Sequence, residues 1–423
     1  MSPRELATDI VRRLRAAGFE AVWAGGCVRD QILGIPPKDY DVATSALPEQ
    51  VRDVFGWKKT LAIGQSFGVI TVLGPKGAGQ IDVATFRRDA TYSDGRHPDS
   101  VSFTIAEEDA LRRDFTINGL FYDPVENRVI DYVGGQDDLR QGVVRAIGDP
   151  RQRIAEDKLR MLRAVRFAAR FDFALDERTL AAIQDQAHEL VIVSAERIAA
   201  EMRQILTHQN RARGVQMLQA ARLLEVVLPE VAALSPDEPW SPESAADTPW
   251  RRALHILHRL DRPTFAVALA VLLREIEKID ATITDLPRRV YDRWKLKNDE
   301  LDGVAKLLEH EPLVRRARRA AWPQLQRVLV APRSDELLTY CQAVAEVLDG
   351  NGTEIDFCRQ KLALPRAELD PPPLITGDDL KQLGIPTGPA YRELLEAVRD
   401  AQLEQRIATC DEALALAQRL APK

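Results

Sequence analysis

The sequence changes its pattern abruptly at Asp149-Pro150, and this change constrains the fold more than any other feature. Before it, short runs with period-two alternation are interspersed with helical stretches such as Pro48–Phe55 and Glu107–Arg113. After it, apolar residues recur at helical spacing, and Asp149 and Pro150 are typical of an N-cap and a first helical residue. The pattern predicts a mixed α/β head followed by an all-α remainder, with strands at Glu20–Trp23, Asp39–Thr44, Val69–Leu73, Gln80–Phe86 and Arg128–Val133.

Composition narrows the class of protein. With 423 residues the chain is long enough for several structural units, because one core stops growing near about 250–300 residues. An apolar share of 45% and a net charge of −6 exclude a disordered chain. The longest apolar run, Phe265–Leu273, is far shorter than the ~20 residues that span a bilayer. We therefore expect a cytoplasmic protein with no membrane partner, and the four scattered cysteines argue against disulfides or a cysteine zinc site.

A glycine pair follows the first predicted strand. Gly25 and Gly26 would let the backbone approach a phosphate closely, and Arg29 adds a fixed positive charge one turn into the following helix. A tight strand-to-helix turn with a surface arginine explains the same residues. The pattern alone leaves both interpretations open.

Three aspartates occur in the predicted strands of the head. Asp39 and Asp41 are two residues apart, so on a strand they would share one face while Tyr40 and Val42 enter the core. Adjacent carboxylates repel unless a cation lies between them, which suits Mg²⁺, although a turn or cap role is the alternative. Asp82 interrupts an apolar strand; it either lies in water on an edge strand or completes a two-metal site.

The order of these motifs resembles the nucleotidyltransferase superfamily that includes the poly(A) polymerases. Further segments then resemble the class II (bacterial-type) tRNA nucleotidyltransferases, or CCA-adding enzymes, and their bacterial poly(A) polymerase relatives. The matching segments are GGCVRDQILGIPPKDYDVAT, RRDFTINGLFYD, DYVGGQDDLRQGVVRAIGDP, EDKLRMLRAVRFAAR and ERIAAEM. The resemblance covers about residues 20–230 and resumes weakly at Leu374–Pro389.

This resemblance implies an α+β fold class with a specific division of the chain. The head would be a mixed α/β nucleotidyltransferase domain of the polymerase β-like kind, and the neck, body and tail would be all-α. The expected segments are a catalytic head at 1–148, a base-recognising neck at 149–211, a body at 212–290 and a tRNA-binding tail at 291–423.

The resemblance also implies nucleotide-binding residues. Gly25, Gly26 and Arg29 would contact the triphosphate, and the segment from Arg112 to Asp114 would hold the ribose. A surface helix end is the alternative for that segment. The full set is Gly25, Gly26, Arg29, Arg112, Arg113, Asp114, Asn118, Asp157, Arg160, Arg163 and Arg166.

Asp157 and Arg160 would read the base. They are expected one turn apart on one helix, where a carboxylate can accept from an exocyclic amine and a guanidinium can donate to the ring. Cytosine and adenine both carry that amine, so the pair could accept both and reject uracil and guanine. Without the resemblance, the two residues would be interpreted as an ordinary helix ion pair.

Two further regions complete the predicted site. The polar stretch Arg87–Phe103 resembles the flexible loop of these enzymes through Asp94, Gly95 and Arg96. For tRNA binding we expect the basic cluster Arg315, Arg316, Arg318 and Arg319 and the turn that contains Gly384 and Gly388. A solvated helix face and a plain helix connection are the respective alternatives.

The predicted function is Mg²⁺-dependent addition of C, C and A to the 3′ end of tRNA from CTP and ATP, with Asp39, Asp41 and Asp82 holding two metal ions. Addition of A alone and poly(A) synthesis are the alternatives. The partners would be the tRNA acceptor arm and elbow, with no obligate protein partner. The net charge of −6 argues against a nucleic-acid partner, but residues 251–350 carry 18 basic against 15 acidic groups. The net charge of the whole chain therefore does not decide whether the protein binds nucleic acid, because a local region can be basic within an acidic chain.

Overall fold

The computed structural model describes residues 1–89, 101–234, 240–279, 285–385, 388 and 390–421. The chain divides into two compact units. The first comprises Met1–Pro239 with Arg293–Lys295, and the second comprises Trp240–Asp292 with Leu296–Lys423. Within the described ranges, no helix is long and apolar enough to cross a membrane.

Within the residues that the structure describes, the strands all belong to the first unit. Seven of them form one sheet in the order β3-β4-β5-β2-β1-β8-β9, and two further pairs form small separate sheets. The strands are β1 (Ala21–Ala24), β2 (Asp41–Thr44), β3 (Thr60–Gly64), β4 (Val69–Leu73), β5 (Gln80–Thr85), β6 (Arg87–Asp89), β7 (Val101–Phe103), β8 (Phe121–Asp123), β9 (Arg128–Ile130), β10 (Val143–Val144) and β11 (Ala174–Leu175).

The remaining elements are helices. The first twelve are α1 (Pro3–Ala16), α2 (Gly26–Ile32), α3 (Pro48–Phe55), α4 (Ala106–Leu111), α5 (Gly135–Gln141), α6 (Pro150–Glu156), α7 (Arg160–Phe171), α8 (Glu177–Gln186), α9 (Ala195–Leu206), α10 (Arg211–Ala220), α11 (Leu224–Val227) and α12 (Pro229–Ala232). Those that follow are α13 (Pro249–Arg259), α14 (Phe265–Ile279), α15 (Leu286–Trp294), α16 (Asn298–Val314), α17 (Trp322–Val330), α18 (Ser334–Leu348), α19 (Thr353–Leu362), α20 (Arg366–Leu369), α21 (Gly377–Gln382), α22 (Ala390–Leu403) and α23 (Cys410–Leu420).

The predicted change from a mixed head to a helical remainder is confirmed, except that the two-residue strand β11 lies beyond it and pairs with β10. Asp149 caps α6 by accepting a hydrogen bond from the Arg151 backbone N–H at 3.0 Å, and Pro150 is the first residue of the helix. The α+β class is confirmed as well, and α3 and β4 have the predicted bounds. Strand β8 was not predicted because its three residues are all buried and show no alternation.

The sheet brings two of the predicted aspartates together. Strands β2 and β5 run parallel, and their register places Asp41 opposite Asp82. Tyr40 and Val42 are buried, as predicted. Helices α1 and α3 pack on the sheet, and their apolar residues Ile10, Leu14 and Val51 are almost fully buried.

Candidate active site

A cavity of about 770 Å³ lies in the first unit, and each of the eleven residues predicted to bind nucleotide lines it. Asp39 and Asp41 line it too. The cavity wall contains nine arginines against four aspartates, so its balance is positive and suits an anionic ligand. The lining residues are Gly25, Gly26, Arg29, Asp39, Asp41, Arg87, Arg112, Arg113, Asp114, Asn118, Asp157, Leu159, Arg160, Arg163, Arg166, Phe167, Arg170 and Arg197.

The glycine turn between β1 and α2 forms one edge of this cavity. Gly25 has φ 71°, a left-handed conformation that favours glycine. A Cβ atom built at Gly25 would lie 2.9 Å from Nη1 of Arg113, so a side chain there would displace that guanidinium. The positive φ therefore favours glycine here whatever ligand the cavity takes, and a side chain would in addition disturb the position of Arg113.

Arg29 lines the cavity, although the residue is almost fully buried. Its guanidinium pairs with Asp30 at 2.6 Å, donates to Oδ1 of Asn118, and lies over the rings of Phe167 and Phe171. Burial lowers the pKa of Arg29, although Asp30 opposes that effect. The side chain is thus held on every side, so the surface-arginine interpretation is wrong.

Asp114 is the most strongly held carboxylate of the cavity. Arg163 donates to its Oδ2 through Nε at 3.0 Å, and Oδ1 accepts from Asn118 at 3.0 Å and from the Phe115 backbone N–H at 2.8 Å. Burial alone would raise the pKa of Asp114, but the charge of Arg163 and these hydrogen bonds lower it to about 2. Asp114 is consequently ionised and fixed in orientation at neutral pH.

Asp109, which was not predicted from the sequence, holds the two arginines next to Asp114. Its carboxylate pairs with Arg112 at 2.7 Å and with Arg113 at 3.0 Å, and only 1% of the residue is exposed. Burial would raise its pKa, but the two guanidiniums lower it. Its spacing could have indicated this pairing, since Asp109 precedes the two arginines by three and four residues.

The predicted geometry of Asp157 and Arg160 is wrong. They do not share a helix: α6 ends at Glu156, Asp157 has extended backbone (φ −145°, ψ 104°), and α7 begins at Arg160. The Asp157 carboxylate accepts from the Leu159 N–H at 3.1 Å, a local bond that competes with helix continuation. The two side chains therefore enter the cavity from a bend between helices.

Each of these two side chains has a partner other than its neighbour. Asp157 pairs with Arg197 of α9 at 2.9 Å, and Arg160 pairs with Glu156 at 2.5 Å. The simple ion pair between Asp157 and Arg160, which was the alternative interpretation, is not formed. Both functional groups are held in place while they line the cavity.

The arginines of α7 extend the cavity wall. Arg166 pairs with the buried carboxylate of Glu201 at 2.6 Å, and Arg170 approaches Asp30 at 3.5 Å. Helical spacing after Arg163 and Arg166 could have indicated Arg170, which continues the same row. Five further lining residues were not predicted from the sequence, namely Arg87, Leu159, Phe167, Arg170 and Arg197.

The three predicted metal ligands are only partly brought together. Asp39 precedes β2 rather than lying on it, and Asp82, whose Oδ1 accepts from Thr71 at 2.6 Å, does not line the cavity. Strand β5 lies between β4 and β2, so the edge-strand interpretation of Asp82 is wrong. In the described part of the chain, no group of three or more His, Cys, Asp or Glu residues could hold a metal ion as arranged.

The chemistry of these carboxylates nevertheless fits a divalent cation. The pKa of Asp41 is raised by burial, by the charge of Asp82 and, more weakly, by that of Asp39, while Arg113 lowers it. A cation between them would relieve this repulsion. Mg²⁺ is ordinarily bound by one or two carboxylates together with substrate phosphates and water, so a complete protein cage is not required.

The remaining predicted residues lie elsewhere. Arg315 directly follows α16 and pairs with Asp349 at 2.6 Å. Arg316, Arg318 and Arg319 are exposed around a short 3₁₀ helix, not along a helix face. Gly384 has φ 75° at the end of α21, and a Cβ at Gly388 would meet open space. Asp94, Gly95 and Arg96 lie outside the described residues.

Comparison with known proteins identifies the family. Residues 21–145 match the family model described as "Poly A polymerase head domain", and residues 172–234 match "Probable RNA and SrmB- binding site of polymerase A". The CCA-adding enzyme of Lacticaseibacillus paracasei is 33% identical over 408 residues, which is 95% of this chain and 91% of that enzyme. The chain belongs to the CCA-adding enzyme family.

Other members agree with this assignment. The CCA-adding enzyme of Ligilactobacillus salivarius is 43% identical over 211 residues, which is 50% of this chain and 51% of that enzyme. The crystal structure of the Bacillus stearothermophilus CCA-adding enzyme in complex with CTP has 28% identity and a TM-score of 0.75 and covers 99% of this chain and 98% of that one. The resemblance found in the sequence motifs is confirmed.

Proposed function

We propose that this protein adds C, C and A in turn to the 3′ end of tRNA, using CTP and ATP and releasing pyrophosphate. The observation that carries the proposal is the single cavity lined by all eleven predicted nucleotide-binding residues together with Asp39 and Asp41. The relationship to CCA-adding enzymes over nine tenths of the chain favours this reaction over addition of A alone or poly(A) synthesis.

The cavity walls suit the parts of a nucleoside triphosphate. The triphosphate would lie against the glycine turn and the arginine-rich wall, where guanidiniums can bind phosphate oxygens in a bidentate manner. Asp114, ionised and fixed, would accept a hydrogen bond from the ribose 2′-hydroxyl. This contact supports selection of ribonucleotides over deoxyribonucleotides, because an unpaired acceptor would remain without the hydroxyl.

The base would be read by Asp157 and Arg160. Asp157 can accept from the exocyclic amine of cytosine or adenine, and Arg160 can donate to an acceptor of the ring. Arg197 and Glu156 hold the two side chains before a nucleotide arrives. Because their orientation is fixed in advance, little side-chain entropy is lost on binding. A base that presents a carbonyl oxygen in place of the amine offers the Asp157 carboxylate no hydrogen-bond donor.

Asp39, Asp41 and Asp82 would hold Mg²⁺. The chemistry that a bound metal supplies is activation of the RNA 3′-hydroxyl and neutralisation of charge on the triphosphate. The protein's own residues orient the α-phosphate for in-line attack and bind the pyrophosphate that leaves. The helical segments, proposed as neck at 149–211, body at 212–290 and tail at 291–423, would hold the tRNA by its backbone.

The proposal is tested by offering tRNA that ends in the discriminator base, in C, in CC or in CCA, with each labelled nucleotide in turn. We expect two C residues and one A on the first substrate, one C and one A on the second, A alone on the third and no addition on the fourth. Incorporation of A only on the CC end would assign A-only addition. Long A tails on any of the ends would assign poly(A) synthesis.

A further inference from the structure

Arg153 lies behind the cavity and does not line it. It belongs to α6, and 12% of its side chain is exposed. Its Nη2 donates to the backbone carbonyl oxygens of Arg112 and Arg113, at 2.7 Å for Arg113. These two carbonyls directly precede Asp114, so one side of the Arg153 guanidinium fixes the segment that would bind the ribose.

The other side of the same guanidinium contacts the base-reading segment. Nη1 of Arg153 donates to Oε2 of Glu156 at 2.6 Å. The same oxygen accepts from Nη1 of Arg160 at 2.5 Å, and Arg160 also donates to the Arg153 carbonyl oxygen at 2.6 Å. Glu156 is thus shared between the residue that would read the base and the residue behind it.

We propose that Arg153 is a positioning residue that couples ribose recognition to base recognition. This inference rests on the proposed function. A planar guanidinium with five donors can bind two carbonyls and a carboxylate at fixed angles, which neither lysine nor glutamine can do. Displacements of about 1 Å at a reacting group change rates by large factors, so loss of this bridge should alter selectivity as well as rate.

The chain contains a matched control two residues earlier on the same helix. Arg151 also forms an ion pair, with Asp185, but 68% of its side chain is exposed. Exposed pairs of this kind contribute little to stability. Replacement of Arg151 therefore reports the cost of removing an arginine from α6 without touching the cavity.

The first experiment compares wild type with Arg153→Gln, Arg153→Lys and Arg151→Gln. For each protein, kcat/KM is measured for CTP, UTP and dCTP on tRNA that ends in the discriminator base, and the unfolding midpoint is recorded. We expect Arg153→Gln to lower both the CTP/UTP and the CTP/dCTP ratio by about tenfold, as for a lost buried charged hydrogen bond. Arg153→Lys should fall between Arg153→Gln and wild type, and Arg151→Gln should match wild type.

Equal loss for all three nucleotides, with both ratios unchanged, would overturn the inference and leave Arg153 a purely structural residue. Should Arg153→Gln fail to fold, Arg153→Lys carries the same comparison. If the wild-type protein incorporates no C, the proposed function fails instead. The two failures are therefore distinguishable.

The second experiment asks whether Arg153 acts through Arg160. In an Arg160→Ala background, Arg153→Gln should lower the CTP/UTP ratio no further, because the group that it positions is gone. The CTP/dCTP ratio should still fall by about the same factor as in the single variant, because Asp114 is unchanged. A further fall of the CTP/UTP ratio in the double variant would contradict the proposed route.

Discussion

Two regions of this protein use arginine–carboxylate networks, and they serve different ends. In the first unit, Asp109 holds Arg112 and Arg113 at the wall of the cavity. In the second unit, Arg274 pairs with Glu311 at 2.8 Å, and the Tyr340 hydroxyl donates to the same carboxylate at 3.2 Å. The pairing chemistry is alike in both regions.

The two networks differ in how much of each arginine side chain remains exposed. About a fifth of the side chains of Arg112 and Arg113 remains exposed, toward the cavity, whereas 5% of Arg274 is exposed. Where part of the guanidinium remains exposed, a buried carboxylate behind it orients the positive charge toward a ligand. Where the arginine is itself buried, the carboxylate compensates a charge that would otherwise be costly to bury. Between these two networks, exposure rather than pairing distinguishes the arginines that line the cavity from the buried one.

The largest loss of activity is expected from substitution of Asp41, a carboxylate that lines the cavity. Asp41→Asn should lower turnover by about a thousandfold, because a neutral amide binds a divalent cation more weakly than a carboxylate and does not offset its charge. Single-turnover assays with tRNA and CTP would measure the loss. The affinity of Asp41→Asn for tRNA should stay near that of wild type. The control Asp53→Asn, at an exposed site, should keep wild-type turnover. Wild-type turnover in Asp41→Asn would contradict the metal assignment.

A substitution in the network of the second unit should lower stability rather than activity. Glu311→Gln leaves the buried Arg274 without its main counter-charge, so we expect the free energy of unfolding to fall by about 3 kcal/mol. Urea unfolding at pH 7 measures this change, with the exposed Glu309→Gln on the same helix as the control. Below the transition, CTP affinity should be unchanged. A matching loss of CTP affinity would erase the distinction between the two networks.

The cavity residues were predictable because each family motif is a contiguous segment. Gly25 follows a strand and Asp114 follows a helix, so local pattern and resemblance together selected both, and both line the cavity. Asp109 was not found, because a buried carboxylate and an exposed one look alike in an acidic helix end. Only its spacing to Arg112 and Arg113 carried information, and that spacing is equally typical of a surface ion pair.

The bend at Asp157 could not be predicted for a related reason. Apolar residues at helical spacing occur on both sides of it, so periodicity indicates one helix from Pro150 onward. At the interruption the Asp157 carboxylate accepts from the Leu159 N–H, a local contact that periodicity does not reveal. Pairings across the unit, such as Arg163 with Asp114 and Arg197 with Asp157, are equally invisible in the sequence because they join distant segments.

Asp114 offers a pH test of the cavity network. Its pKa falls from 3.8 to about 2 in the folded protein. A lowered carboxyl pKa stabilises the folded state above the unfolded pKa, and that contribution, about 2 kcal/mol, is lost as the pH falls through the folded pKa. Wild type should therefore exceed Asp114→Asn in unfolding free energy by about this amount at pH 5–8, with the gap closing between about pH 4 and pH 2. A gap that does not narrow in acid would contradict the ionised pair with Arg163.

The smallest effect is expected at the exposed arginines of the second unit. Within the described ranges, the guanidinium of Arg319 pairs with no carboxylate, whereas Arg315 pairs with Asp349 and Glu311. If Arg319 contacts one RNA phosphate, Arg319→Ala should weaken tRNA binding about threefold and reduce the slope of log K against log salt by about 1. Arg315→Ala should lower the free energy of unfolding and leave that slope nearly unchanged. The exposed Lys306→Ala should change neither the free energy of unfolding nor the slope. Filter binding from 50 to 200 mM salt separates these outcomes, and an unchanged slope for Arg319→Ala would place this arginine with the structural ones.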